Sequence, residues 1–564
     1  MPLLALLLLL APTGGGVEGE ASVRRGVAPL QVAFRERVQF AYDECTWDFG
    51  DGTISHERNP VHVFASPGRY EVRLTVDRHA APLAPRFETT IDVVPSGSRI
   101  LSRQVRRAPN ILLVVMDDVG VDLLGCYGEG PASLPFACTP TIDALAAQGM
   151  LFRNAYSNPL CSPTRAQILT GRHGFRTGIG DLVSFGGLNP GLSPERETIL
   201  PEILIGYDTA LVGKWHLGNP LMDGIQHPLR SGFRHYAGSL YNLQAPAQVA
   251  GVDCGDPATS GYTQWVKTLD SDGDGVLEQV CSSRYATSDT IDDGIAQLAS
   301  LRWPWFLEVS LNAVHTPAHV PPAAAGPAPG TCGFQFVDQS LDDTPKQTRA
   351  MLECLDHELG RLLAVARALD PNVYVLVIGD NGTDGGAAIG GIGDCFDPGR
   401  SKGTLYQAGI RVPLIVAGPD VVPGECRELV SAVDLFATIG DLAEVSHDAE
   451  DSISLMPYLV GRGHPRRTPV LSEEFTPNAS DPGAPGMLPP IKHLTAVQDG
   501  QYKLLTVRRD GILRNELFFD LLADPCEAND LCPGSAVCDP ATLTPGQLAG
   551  LQRLRAELVR LGID

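Results

Sequence analysis

The stretch Cys161-Ser162-Pro163-Thr164-Arg165, running on to Leu169-Thr170-Gly171-Arg172, places a thiol and a guanidinium within one helical turn of each other. Pro163 suits a first helical position, where its missing N–H would have no partner anyway. Gly171 suits the left-handed residue that ends a helix. The pattern predicts a turn feeding a helix, with Cys161 at or just before the N-terminus, where the dipole and free amides favour negative charge. Arg165, one turn on, can face the same point. Together these residues point to chemistry on an anionic group.

Two further clusters could hold a cation. Asp117-Asp118 follow the apolar run Asn110–Met116, and Asp380-Asn381 follow the run Val373–Ile378 and Gly379. Ligands in open α/β sheets gather at the carboxyl ends of strands. Three carboxylates and an amide make an all-oxygen donor set, suited to a hard cation, Ca²⁺ or Mg²⁺, rather than zinc. The larger, more irregular shell favours Ca²⁺.

The order Cys161-x-Pro163-x-Arg165 followed by Leu169-Thr170-Gly171-Arg172 resembles the signature of the sulfatase family, the formylglycine-dependent, arylsulfatase-like hydrolases of the alkaline phosphatase superfamily. The resemblance extends from Pro109 to about Leu531. Gly213-Lys214-Trp215-His216-Leu217-Gly218, Val314-His315-Thr316-Pro317, and Ser401-Lys402-Gly403 ahead of Gly409-Ile410-Arg411-Val412-Pro413 all stand where the family has its motifs. It implies a sulfuric ester hydrolase in which Cys161 is oxidised to formylglycine by a formylglycine-generating enzyme. The hydrated aldehyde is the nucleophile: one hydroxyl attacks sulfur, and the second, on losing its proton, expels sulfate and restores the aldehyde. Asp117, Asp118, Asp380 and Asn381, with the converted Cys161, would hold the metal, commonly Ca²⁺. Arg165 would orient the diol and Lys214 and Lys402 would bind sulfate. His315 would protonate the leaving alcohol, with His216 supporting the diol.

These residues need an α/β scaffold, and from Pro109 onward apolar runs alternate with helical stretches in the pattern of a mostly parallel sheet flanked by helices. Trp305–Leu311 reads as a third buried strand, and helices are expected at Thr141–Ala147, Ser288–Leu301 and Thr348–Leu369. Short strands near Thr495–Gln498, Lys503–Arg508 and Glu516–Phe519 and a closing helix over Thr544–Leu561 resemble the small C-terminal antiparallel α+β subdomain of sulfatases. Near the N-terminus, Trp47-Asp48-Phe49-Gly50-Asp51-Gly52-Thr53, Asn59–Phe64 and the alternating strand Tyr70–Val76 resemble the PKD domain, an immunoglobulin-like β-sandwich with Trp47 and Phe64 in its core. The expected division is a leader over 1–19, the PKD-like unit over 20–96, a linker over 97–108, the catalytic domain over 109–445 and the C-terminal subdomain over 446–564.

Composition bounds the partners. A formal net charge of −23 argues against nucleic acid, so an anionic substrate must be captured by local cations. Leu3–Ala11 is apolar but too short to span a bilayer, and reads as a secretory leader. A secreted, extracellular or periplasmic protein acting on a sulfated small molecule or glycan is expected, without a membrane span. Setting Cys161 aside from the 13 cysteines leaves an even number that could pair throughout, with Cys526, Cys532 and Cys538 foremost. Asp270-Ser271-Asp272-Gly273-Asp274-Gly275 begins like a calcium loop but has Cys281 where a bidentate Glu belongs; a second Ca²⁺ site and an acidic turn both fit. A phosphate or phosphonate ester hydrolase with the same machinery and a non-catalytic glycan-binding surface protein are the competing functional readings.

Overall fold

The computed structural model describes residues 17–21, 25–38, 44–77, 86–94, 108–183, 189–219, 224–244, 252, 254–255, 261–325, 336, 343–390, 395–462, 467, 469–479, 490–534 and 536–563. The chain separates into two compact units that part at Ala108 and Pro109. The expected leader lies outside the described residues except for Val17, Glu18 and Gly19, which belong to the strand Val17–Ala21. The expected linker lies outside them except for Ala108.

The N-terminal unit is a β-sandwich of a three-stranded and a five-stranded sheet. Its central strand Gly68–Asp77 pairs antiparallel with Glu44–Asp48 and Arg86–Val94. Alternation along that strand sends Val72, Leu74 and Val76 inward onto Trp47, Phe34 and Phe64, all essentially inaccessible to solvent. Asp51 and Gly52 lie in the turn between Glu44–Asp48 and Ile54–Ser55.

The second unit is built on a ten-stranded sheet. Its centre is five adjacent parallel strands in the order His235–Gly238, Asp208–Gly213, Trp305–Ser310, Ile111–Met116 and Tyr374–Gly379. Antiparallel strands flank that block on both sides, so the sheet is mixed rather than uniformly parallel. Ile111–Met116 and Tyr374–Gly379 are buried along their whole length. Helices Ala286–Ser300 and Thr344–Leu369 contribute Ile291, Leu298, Leu355, Leu359 and Leu362 to the same core. Each such side chain is worth about 1.5–3 kcal/mol when buried, which fixes the strands whose ends carry the acidic pairs.

A four-stranded antiparallel sheet, Val470–Thr476, Lys492–Gln498, Tyr502–Arg509 and Ile512–Asp520, follows. Helix Pro545–Leu561 packs on it through Leu551, Leu554 and Leu558 and is capped by Thr544, whose hydroxyl accepts from the N–H of Gln547. Disulfides join Cys254–Cys281, Cys395–Cys526 and Cys532–Cys538. Pairing of all twelve remaining cysteines is not met: Cys126, Cys354 and Cys426 are thiols outside any disulfide. Cys354 is fully buried against the carbonyl of Ala325, where it serves as a small apolar residue. Among the described residues no helix is long and apolar enough to cross a membrane.

Candidate active site

The register that sets Gly379 against Met116 brings two strand ends level, so Asp117-Asp118 and Asp380-Asn381 emerge side by side. The N–H of Asp118 donates to Oδ1 of Asp380 at 3.2 Å, and Nδ2 of Asn381 donates to Oδ1 of Asp118 at 2.8 Å. All four side chains are buried. Oδ1 of Asn381 is buried and has no hydrogen-bond partner among the described residues.

Cys161 is the first residue of helix Cys161–Thr170, and its Sγ lies 3.3 Å from Oδ1 of Asp117. The helix therefore begins two residues earlier than the placement of Pro163 at its first position implies. As its third residue Pro163 still forgoes an N–H that has no intrahelical acceptor. Gly171 closes the helix in the left-handed region with φ +67°, as expected.

Arg165 reaches back along this helix into the acidic group. Its Nε and Nη2 donate to Oδ2 of Asp380 at 3.0 and 2.8 Å. Its Nη1 donates to the carbonyl of Lys214 at 3.1 Å and to Oγ of Ser310. Nζ of Lys214 donates to Oδ2 of Asp117 at 2.5 Å, and Nζ of Lys402 donates to Oδ2 of Asp118 at 2.7 Å. Three buried carboxylates thus face three cations, the condition under which buried charges are kept. Gly213 gives Lys214 its entry: at φ +97°, a Cβ there would stand 2.0 Å from the carbonyl oxygen of Ser310. That oxygen accepts the N–H of Lys214 at 2.7 Å.

One ring nitrogen of His315 joins the ligand atoms of Asp117, Asp118 and Cys161, all lying within 4.8 Å of one another. Its Nδ1 lies 2.9 Å from the carbonyl of Thr316. His216 is buried, and its Nδ1 has no hydrogen-bond partner among the described residues. The Oγ of Ser162 donates to the His216 carbonyl at 2.8 Å, which ties that segment to the Cys161 helix. Asp118 and His216 adopt positive φ, +61° and +59°, a backbone state that non-glycine residues hold only where the surroundings enforce it.

The charge pattern sets the protonation states. Burial raises the Asp117 carboxyl, but Lys214, His315, Arg165 and Lys402 outweigh it and hold it well below the carboxylate range. Burial and the neighbouring Asp117 push Asp380 up to about 6 against the pull of Arg165. Burial, with Asp117 and Asp380, pushes the Cys161 thiol well above its ordinary value, so it is a neutral thiol. Burial, with Lys214 and Arg165, holds His216 well below the usual imidazole range.

Every residue singled out in the sequence for the site (Cys161, Arg165, Lys214, His216, His315, Lys402, Asp117, Asp118, Asp380 and Asn381) lies in this one neighbourhood of contacts. Two supporting residues were not foreseen. Ser310 ends the third parallel strand, and that strand-end position is the signal that could have marked it. Thr383 accepts the N–H of Gly120 at 3.2 Å and donates to Asp122 at 2.6 Å, clamping the two acidic turns together. The Asp270, Asp272 and Asp274 carboxylates also converge. They cap the backbone N–H groups of Gly273, Gly275, Asp274 and Val276 within their own turn.

The model of the sulfatase family matches residues 109–445, and the model of the PKD domain matches residues 17–81. The chain is 32% identical over 409 residues to N-acetylgalactosamine-6-sulfatase of Canis lupus familiaris, covering 68% of this chain and 72% of that protein. It is 30% identical over 504 residues to arylsulfatase A of Homo sapiens, covering 80% of this chain and 89% of that protein. Among solved structures, Ps i-CgsB superposes with a TM-score of 0.60 at 21% identity, covering 81% of this chain and 93% of that one. A protein solved in complex with its substrate D-glucosamine-2-N,6-O-disulfate superposes with a TM-score of 0.56 at 20% identity, covering 80% and 98%.

Proposed function

The chain belongs to the sulfatase family, a sulfuric ester hydrolase by that membership, and from that premise we propose that it cleaves sulfate monoesters with Cys161, converted to formylglycine, beside a bound Ca²⁺. The observation that carries this reading is the 3.3 Å approach of Cys161 Sγ to an aspartate of a buried all-oxygen cluster that three cations surround. A neutral thiol pressed against carboxylates is a poor nucleophile and a poor partner for a hard cation. Conversion to a hydrated aldehyde removes both defects.

The donors fit the cation. Asp117, Asp118 and Asp380 supply carboxylates and Asn381 an amide oxygen that is buried and otherwise unpartnered. When bound, the ion polarises sulfate oxygens and lowers the pKa of an adjacent hydroxyl. Arg165 aligns Asp380 and faces the nucleophile from one turn along its helix. Lys214 and Lys402 balance the equatorial sulfate oxygens, stabilising charge where it develops. His315 hands its proton to the departing alcohol oxygen. His216, neutral at pH 7, supports the diol as a hydrogen-bond partner.

The substrate class is a sulfated small molecule or sulfated glycan, the class named for the N-acetylgalactosamine-6-sulfatases and for the neighbour solved with a disulfated glucosamine. The disulfides fit an oxidising, extracellular or periplasmic compartment, where a protein matured by a formylglycine-generating enzyme would act, and the PKD unit serves as a spacer. Parallel assays on the sulfate and phosphate monoesters of one alcohol test the reading. Preferred cleavage of the sulfate supports it; preferred cleavage of the phosphate would replace it with phosphatase chemistry.

A further inference from the structure

Lys402 lies on a loop that the C-terminal subdomain grips at three points. The Cys395–Cys526 disulfide holds the loop's start. Farther on, Nη1 of Arg400 donates to the carbonyls of Cys526 and Glu527 at 3.3 and 2.6 Å, and the guanidinium lies 4.6 Å from the Tyr406 ring centroid. Past Lys402, Oε2 of Glu527 accepts the N–H of Gln407 at 2.6 Å. Its Oε1 forms an ion pair with Nζ of Lys503 at 2.6 Å, and both side chains are inaccessible to solvent. Glu527 stands at φ +56°, a non-glycine residue held in the left-handed region as Asp118 and His216 are. Observed strain of this kind marks positions that the surrounding structure over-determines.

Between those anchors the loop meets the reaction centre. The N–H of Lys402 donates to the carbonyl of Thr383 at 3.0 Å, and that of Gly403 to the carbonyl of Pro159, just ahead of the Cys161 helix, at 2.9 Å. We infer that Arg400 and the Glu527–Lys503 pair are positioning residues for Lys402, so that the C-terminal subdomain sets where the ammonium meets the sulfate group. This rests on the reading of Lys402 as a sulfate-binding cation. A misplacement of about 1 Å at a reacting centre can cost on the order of a hundredfold in rate, so a loop freed at one of three anchors should cost less than that.

A double-mutant cycle on the full-length, Ca²⁺-loaded enzyme tests it, with kcat/KM for an aryl sulfate measured in Arg400→Met, Lys402→Ala and the double variant. Arg400→Met should lower kcat/KM about tenfold in the wild-type background and less than about twofold once Lys402 is gone. Inhibition by inorganic sulfate should weaken in parallel, which a general loss of stability would not produce. Equal losses in both backgrounds, with Lys402→Ala itself impaired, would overturn the inference while leaving the role of Lys402 intact. An unimpaired Lys402→Ala enzyme would instead remove the role of Lys402, and the inference with it. If Arg400→Met does not fold, the paired variant Glu527→Gln with Lys503→Met, which removes both buried charges at near-constant volume, goes through the same cycle and is judged by the same coupling.

Discussion

Replacing Arg165 by lysine keeps the charge and discards the geometry. The guanidinium makes four hydrogen bonds from a buried position: two to Oδ2 of Asp380, one to the Lys214 carbonyl and one to Ser310. A lysine ammonium is compact, on a flexible stem, and cannot span these partners. If it stays on Asp380, the Lys214 carbonyl and Ser310 lose their donor, at about 1–3 kcal/mol for each buried group left unsatisfied. The folded unit should therefore lose about 2–6 kcal/mol, and Arg165→Met, which strands the Asp380 charge as well, should lose about 3–5 kcal/mol from that source alone. Asp380 also accepts the Asp118 N–H, so its displacement disturbs two proposed ligands at once. Misplacing groups by about 1 Å at a reacting centre costs on the order of a hundredfold, so kcat/KM for Arg165→Lys should fall by about that factor. Guanidinium unfolding of the cation-free protein, a calcium titration and steady-state kinetics measure the three effects. A lysine variant with unchanged calcium affinity and kcat/KM within about threefold of wild type would show that the guanidinium geometry is dispensable.

Other perturbations follow from the same contacts. Burial holds His315 below its ordinary value of 6.5, with Lys214 and Lys402 adding to the effect and Asp118 and Asp117 opposing it. A general acid works in its protonated form, so kcat/KM should decline as pH rises through a midpoint below 6.5, and His315→Gln should abolish that limb of the pH profile. Glu308, two residues before Ser310 on the same strand, is buried, and burial pushes its carboxyl up to about 7 from 4.5. The folded state then holds the proton more tightly than the unfolded chain, so this contribution to stability is whole below pH 4.5 and lost as pH climbs through about 7. Glu308→Gln should thus stabilise the protein at alkaline pH by on the order of 3 kcal/mol, read from denaturation midpoints at acid and alkaline pH; equal slopes for both proteins would contradict this. Removing divalent cations with a chelator should abolish activity and added Ca²⁺ restore it, whereas Asn381→Leu should need more Ca²⁺ for half-restoration; full activity in excess chelator would count against the cation.

How much of this could be read beforehand depended on how local the signal was. Ile111–Met116 and Tyr374–Gly379 are buried on both faces and stand out as unbroken apolar runs, and Trp305–Ser310 stands out by its apolar residues around Glu308, each within a residue of its observed limits. Met150–Tyr156 and Gly424–Ser431 pair with each other at the edge of the sheet and carry Arg153, Asn154, Glu425 and Arg427, so no apolar run betrays them. The site residues were legible as separate motifs, but their convergence joins Cys161 to Asp117 across 44 positions and Arg165 to Asp380 across 215. No spacing rule spans such distances; the resemblance to sulfatases supplied that link. Ser310 and Thr383 act through a hydroxyl on a neighbour, and the free thiol Cys354 fills apolar space, roles fixed by tertiary packing rather than by neighbouring residues.

Conversion of the Cys161 side chain is decided by mass spectrometry of the peptide that contains it, taken from a preparation whose sulfate ester hydrolysis has been measured. An aldehyde in place of the thiol-bearing group at position 161, in a fraction that tracks specific activity, is the predicted result. An intact thiol at that position in a fully active preparation would contradict it.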